Sequence, residues 1–354
     1  MRILWAVNLA TKYSSQIAEV FTAGSFVKGK TSTTFDLTGV KTLKVYTPVT
    51  VPEVDYTREG MARYGTVTEM QDIVQELKMT QDKAFTLTID KGNYLDQNMS
   101  KKAADMLRLQ INEQSTPAAD KYALKRFAMM AGTIATTETA PTKETIVEMI
   151  STGAQTLDDN LVPDGDRYLY VTAEGYKMIR LSPEFTGLEG LGVKAIGKGV
   201  CGEIAGLNIV RVPKSYMPTG CYFIITHKNS VLMPYKISDA KVHNDPVGVS
   251  GALIEGRHYY DAFVLGAKSN GVYALVQKSS KLTAPILAFS SQTVTATKPS
   301  GAEEMRYTVD GTDPRYSDSA KVYTAGVAMT SGAIFRVAAF AEGKFTSDVV
   351  DRTC

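Results

Sequence analysis

Two glycine-rich strings in this 354-residue chain have the letter pattern of phosphate-binding loops. Gly24-Ser25-Phe26-Val27-Lys28-Gly29-Lys30-Thr31 fits G-x-x-x-x-G-K-[ST]. A working loop of that kind sits between a buried strand and a helix whose N-terminus faces the phosphates. Gly197-Lys198-Gly199-Val200-Cys201-Gly202 fits G-x-G-x-x-G, which needs a strand before it, a helix after it and an acid about 20 residues on. Neither context is present. A helix-like segment precedes Gly24, and Thr33, Thr34 and Gly39 follow in extended, helix-poor sequence. Gly206 and Pro213 follow the second string closely, and the region around Tyr222 carries no acid. The first string reads as a basic exit from a terminal arm, the second as a loop of tight turns.

Other chemistry is equally sparse. His227, His243 and His258 are the only histidines and show no metal-ligand spacing. Ser250 does not sit in a G-x-S-x-G elbow. Asp164-Gly165-Asp166 reads as a polar turn, and paired acids such as Asp158-Asp159 and Glu303-Glu304 are adjacent, so their side chains diverge. Cys201, Cys221 and Cys354 are odd in number and far apart, against a disulfide framework. The expectation is no catalytic, cofactor-binding or metal site, and no enzyme.

The elements that would have to position a site are more telling. Net charge is +2, with 44% hydrophobic and 21% charged residues, which argues against a dedicated nucleic-acid binder. No apolar run reaches the roughly 20 residues of a membrane span, and polar Thr11 to Gln16 cut short the apolar start, so a cytoplasmic product is expected. Residues 1–30 hold one short helix with Tyr13, Ile17, Val20 and Phe21 on a face. Residues 31–90 read as an outgoing strand at Leu43 and Val45 and a return at Leu77, Met79 and Phe85 to Ile89. Asp55-Tyr56 and Arg63-Tyr64 lie at the tip between them. A two-stranded ribbon is marginal alone in water, so a partner is expected to hold it. A long amphipathic helix then starts near Met99 (Ala103, Leu107, Ile111, Ala118, Tyr122, Met129), kinked at Pro117. Another helix opens near Pro141, with Glu144 at its positive end.

From Arg167 the pattern is mixed α/β. A strand at Tyr168 to Val171 runs into a helix from Ala173 to Leu181 capped by Thr172. Further strands fall at Leu207 to Val212, Cys221 to Thr226, Asp261 to Leu265 and Val272 to Val276, with Asn270-Gly271 as a hairpin signal between the last two. After a Ser/Lys/Pro linker, Lys278 to Pro285, short strands at regular spacing predict a small all-β sandwich.

This order of elements resembles the major capsid proteins of tailed bacteriophages, with the Hong Kong 97-type fold, over about residues 1–280. The carriers are Phe85-Thr86-Leu87-Thr88-Ile89-Asp90, Thr116-Pro117-Ala118-Ala119-Asp120-Lys121-Tyr122, Arg167-Tyr168-Leu169-Tyr170-Val171-Thr172-Ala173-Glu174-Gly175-Tyr176 and Gly206-Leu207-Asn208-Ile209-Val210-Arg211-Val212-Pro213. In the tail, Tyr307-Thr308-Val309-Asp310-Gly311-Thr312-Asp313-Pro314 resembles the chitobiase C-terminal-like, immunoglobulin-type module, with Tyr307, Asp310, Gly311, Asp313 and Pro314 as its turn motif.

The resemblance implies an α+β fold: a capsid fold with N-terminal arm (1–30), extended β-ribbon loop (31–90), peripheral domain with the long spine helix (91–142 and 246–282) and axial α/β domain (143–245). An Ig-like sandwich follows (283–354). It implies a head protein that self-assembles as hexamers and pentamers into an icosahedral shell around double-stranded DNA, held without sequence-specific binding. The virion is the expected location, after assembly in the host cytoplasm. Expected partners are a separate scaffolding protein, a portal and, through the Ig-like domain, a weak host-surface or glycan contact; no membrane and no cofactor are expected. Candidate subunit-interface residues are Tyr13, Ile17 and Phe21 on the arm and Tyr56, Arg58, Arg63 and Tyr64 at the loop tip. Some shells of this kind weld subunits through a loop lysine, but Val49 to Asp72 contains none, so noncovalent contacts are expected. For sugar stacking, Tyr307, Tyr316, Tyr323 and Phe345 are the available rings, weighed against plain core roles. The alternatives are a secreted carbohydrate-active protein using the C-terminal module and an encapsulin-like nanocompartment shell.

Overall fold

The computed structural model describes residues 24–35, 42–51, 53–59, 61, 63–65, 72–91, 103–183 and 202–353. An antiparallel ribbon comes first. Strand β1 (Thr42–Pro48) pairs with β2 (Asp72–Lys78), with Thr42 opposite Lys78 and Pro48 opposite Asp72. Strand β3 (Gln81–Asp90) does not continue the ribbon, as the sequence reading had it. After Met79 and Thr80 the chain leaves β1 and enters a different sheet.

The long helix follows as α1 (Ala103–Gln110), one π-helical turn (Ile111–Ser115) and α2 (Thr116–Met129). Pro117 lacks an N–H and its ring would strike the carbonyl four residues earlier in a regular α-helix. Instead of breaking, the helix widens just before it: the Thr116 N–H bonds the Ile111 carbonyl, five residues back.

Next come β4 (Thr133–Thr137), α3 (Ile146–Asp159), β5 (Arg167–Thr172), α4 (Ala173–Arg180), β6 (Glu203–Ile204), β7 (Leu207–Val212) and β8 (Cys221–His227). Thr172 caps α4 as expected, its hydroxyl accepting from the Gly175 N–H. Pro141 lies outside α3, because a turn at Thr142 to Thr145 intervenes and the Ile146 N–H is taken by the Thr142 carbonyl. Then follow β9 (Val231–Leu232), β10 (Tyr235–Asn244), β11 (Gly251–Tyr260), β12 (Phe263–Val264) and β13 (Val272–Gln277).

A six-stranded mixed sheet, in the order β4-β13-β8-β5-β7-β6, forms the centre. Strand side chains alternate between faces, and here both faces are apolar. Tyr170, Val210, Ile224 and Ala274 meet Ala123, Leu124, Phe127 and Ala128 of α2 on one face. Leu169, Val171, Ile209, Phe223, Ile225 and Leu275 meet Ile150, Ala154 and Leu157 of α3 and Ile179 of α4 on the other. The C-terminal half of the long helix therefore lies on its own chain's sheet, not on a neighbour.

Strand β3 joins β11 and β10 in a three-stranded antiparallel sheet. The sequence reading missed the β10–β11 hairpin; residues 239–244 of β10 are exposed, and only Ala240 and Val242 alternate there with polar side chains. Two other readings are corrected. Asp261 to Leu265 contributes only the two-residue β12, and Asn270-Gly271 makes no hairpin. Gly266–Gly271 is 3-10 helical, while β12 pairs with β9 and β13 with β4 and β8.

The C-terminal sandwich is present: β14 (Ile286–Ser290), β15 (Thr293–Thr297), β16 (Glu304–Thr308), β17 (Lys321–Val322), β18 (Val327–Ala328), β19 (Ile334–Phe340) and β20 (Val350–Thr353). They form two sheets, β14-β15-β18 and β17-β16-β19-β20, around Val294, Met305, Phe335, Val337 and Ala339.

Candidate subunit interface

The ribbon changes character along its length. At its root Leu43 and Val45 pack on a cluster of Leu77, Met79, Leu232, Tyr259, Phe263 and Leu265, so this end has a core supplied by its own chain. Further out, among the described residues, the apolar side chains become exposed. Tyr46, Val51 and Val54 are exposed, and at the tip Tyr56, Met61 and Tyr64 are 51%, 98% and 86% exposed. Tyr56 and Tyr64 meet edge to face at 5.0 Å, and the Thr57 N–H donates to the Arg63 carbonyl at 3.1 Å, closing the tip. Gly65 has φ +82°, and a Cβ there would lie 2.6 Å from a Val54 methyl, so glycine is required where the chain turns back. Arg58 and Arg63 are exposed on the same tip.

Four predicted interface residues are thus brought together at one end of the ribbon. Tyr13, Ile17 and Phe21 lie outside the described residues. What sequence reasoning missed is the wider apolar surface, Tyr46, Val51, Val54 and Met61. Its signal was present in the sequence as large apolar residues in a Pro- and Gly-interrupted stretch that offers them no core.

The phosphate-loop pattern at Gly24 to Thr31 has a structural use. Asp120, on α2 and 1% exposed, accepts from the Ser25 hydroxyl and the Phe26 N–H, both at 2.7 Å, while Lys30 reaches the Phe26 carbonyl at 2.9 Å. An internal carboxylate fills the place an anion would take, and Ser32 then bonds to Val231 rather than opening a helix. Burial pushes the Asp120 carboxyl above its usual range, against the Ser25 and Phe26 bonds and the Lys30 charge. A carboxyl whose folded value is raised favours folding while protonated and loses that contribution as pH rises through the folded value. The stability of wild type relative to Asp120→Asn should therefore fall as pH rises from below 3.8, the ordinary Asp value, toward neutrality. Urea midpoints of the two proteins across that range check it.

The second glycine string lies at 197–202, mostly outside the described residues. Asp164-Gly165-Asp166 wraps buried Arg167, whose guanidinium meets Asp158 at 2.6 Å and Asp164 at 3.2 Å, as expected of a polar turn. His227 and His258 are buried and their basicity is lowered by desolvation; His243 pairs with Glu255. Among the described residues no group of three or more His, Cys, Asp or Glu side chains converges as metal ligands, and no helix is long and apolar enough to cross a membrane.

In the sandwich, Asp310 accepts from the Thr312 N–H and hydroxyl and from Ser319, and Gly311 has φ +74°. Burial works to raise the Asp310 carboxyl, but these bonds prevail and hold it below its usual value. Asp313 accepts from Arg315, and Pro314 is buried. The rings proposed for sugar stacking are otherwise engaged. Tyr316 and Phe345 are buried in the main core, and Tyr307 and Tyr323 pack on Phe335.

Comparison with known proteins follows the same division of the chain. The Fn3-associated family matches residues 293–354. No curated protein matches the sequence. Among solved structures, a chain from Mycobacterium phage Che8 superposes with a TM-score of 0.59 at 16% identity, covering 77% of this chain and 98% of its own. A capsid structure of the cyanophage P-SCSP1u gives 0.58 at 12% identity, covering 76% and 92%. The mature capsid of bacteriophage PhiM1 gives 0.57 at 11% identity, covering 78% and 96%. This chain has the tailed-phage capsid fold. At such low identities the capsid fold persists through its layers and element order, not through shared side chains. The Fn3-associated match covers β15 to β20 of the sandwich and is compatible with an Ig-like module.

Proposed function

We propose that this chain is the shell-building subunit of a tailed-phage head, structural rather than catalytic. It self-assembles as hexamers and pentamers into a closed icosahedral particle around double-stranded DNA. The observation that carries this is the ribbon tip: a cluster of large apolar side chains, Tyr56, Met61 and Tyr64 with Val51 and Val54 beside them, that the described residues leave exposed. Sibling subunits are its natural cover, and obligate interfaces of this kind bury about 2,000–5,000 Å² or more. The domain division follows: arm 1–30, loop 31–90, peripheral domain 91–142 with 246–282, axial domain 143–245 and Ig-like domain 283–354. Tyr13, Ile17 and Phe21 on the arm and Tyr56, Arg58, Arg63 and Tyr64 on the loop make the contacts. A net charge of +2 suits a shell that encloses DNA without gripping it. A separate scaffolding protein and a portal complete the particle, which is made in the host cytoplasm and matures as the virion.

Negative-stain microscopy of the overexpressed, purified chain tests the reading: closed shells or capsomers support it, and a uniform field of single small particles refutes it. Two further outcomes are expected of the assembled particles. Denaturing gels show monomers, because the tip carries no lysine for a covalent weld; high-mass ladders would contradict this. Raising salt to about 1 M, where the Debye length is roughly 3 Å, loosens the Arg58 and Arg63 contacts and increases the free-subunit fraction in sedimentation.

A further inference from the structure

The C-terminal module is no loosely tethered appendage. Its turn region, Asp313 to Asp318, reaches two separate parts of the capsid fold. On one side it meets the segment through which the chain leaves the long helix, Met129 to Gly132. Arg315 donates to the Ala131 and Gly132 carbonyls at 3.1 and 3.2 Å, the Tyr316 hydroxyl to Met130 at 2.7 Å, and Thr346 to Met129 at 3.3 Å. The Tyr316 side chain is buried in the capsid-fold core itself.

On the other side the same turn holds the ribbon. Asp318 donates its N–H to the Val74 carbonyl at 3.0 Å and pairs with Lys44 at 2.7 Å, so both strands are held. Between the two contacts, Gln75 of β2 accepts from the Gly266 N–H at 2.8 Å and donates to the Val264 carbonyl at 3.0 Å. Gly266 lies directly against Tyr316, where a Cβ would come within 2.7 Å of the tyrosine Cβ. Ribbon, 266 turn and module form one stack.

We infer that the Ig-like module is an intramolecular brace: its Arg315-Tyr316 end holds the exit of the long helix while its Asp318 end fixes the angle at which the ribbon leaves the body. The sandwich thereby sets the geometry of the surface offered to neighbouring subunits. This goes beyond the shell reading and does not require it, because the brace acts within one chain.

Hydrogen exchange on the full-length chain, kept dilute, tests the brace without any assembly step. Lys44→Glu puts like charges at the ribbon contact and should speed amide exchange in β1 and β2 about two- to fivefold, the scale of one exposed ion pair. The double variant Lys44→Glu/Asp318→Lys should return it toward wild type. Gly266→Ala wedges the stack at Tyr316 and should speed the same amides about tenfold or more. Exchange in β5 and β8 should stay unchanged in all three. Unchanged ribbon exchange in both Lys44→Glu and Gly266→Ala would overturn the inference, as would an increase shared equally by β5 and β8.

Discussion

A chain carrying Tyr56→Ser, Met61→Ser and Tyr64→Ser is expected to fold normally and to form no closed shells. The three side chains are 51%, 98% and 86% exposed, so the isolated subunit has little packing to lose. Exposed substitutions of this kind change stability by about 0.5 kcal/mol or less each. In an interface the same residues are anchors, and losing a buried tyrosine costs about 2 kcal/mol or more. A shell repeats every contact in each subunit, so a deficit of several kcal/mol per contact removes the assembled state altogether. Thermal melting should coincide with wild type, while sedimentation should show only free subunits. Wild-type particle yield from the triple variant would show that the tip does not hold neighbours.

The second large effect is on stability. Arg315→Ala removes a guanidinium whose side chain is 9% exposed and which serves Asp313, Ala131 and Gly132 together. Two carbonyls of the turn after α2 lose their donor and Asp313 loses its counter-charge in a partly covered site. Leaving a buried charge or acceptor unmatched costs about 3 kcal/mol. Since the lost bonds join the sandwich to the segment just after α2, the urea transition should shift to lower concentration, and the contact between module and body should open first. Arg315→Lys should recover only part of the loss, because an ammonium cannot span two carbonyls and a carboxylate as a planar fork does. A midpoint unchanged in Arg315→Ala would mean that solvent already shares these bonds.

How far the sequence led is best seen residue by residue. Tyr168 to Val171, Leu207 to Val212 and Val272 to Val276 were legible because apolar runs of that length, bounded by polar turns, suit a strand buried on both faces. Thr172 announced its helix by its own capping chemistry. The β10–β11 hairpin was easily missed, since residues 239–244 face water and only Ala240 and Val242 alternate there with polar side chains. Asn270-Gly271 misled because a local turn preference was outweighed by the long-range pairing of β13 with β4 and β8. Gly24 to Thr31, read as a basic exit from the arm, has a use that its letters did not reveal: its Ser25 hydroxyl and Phe26 N–H hold Asp120, remote in sequence. Of the proposed interface, Tyr56 and Tyr64 were legible as apolar groups in a stretch that offers them no core. The bracing of the ribbon by Asp318 was not, since no local pattern links residues so far apart.

The central claim is that one copy of this chain leaves the ribbon tip bare and that further copies cover it. Sedimentation velocity of the purified wild-type chain over a dilution series is the most direct measurement. The account predicts large closed species at high concentration, giving way to free subunits on dilution. A single compact monomer at every concentration, with a protease-resistant ribbon, would contradict it.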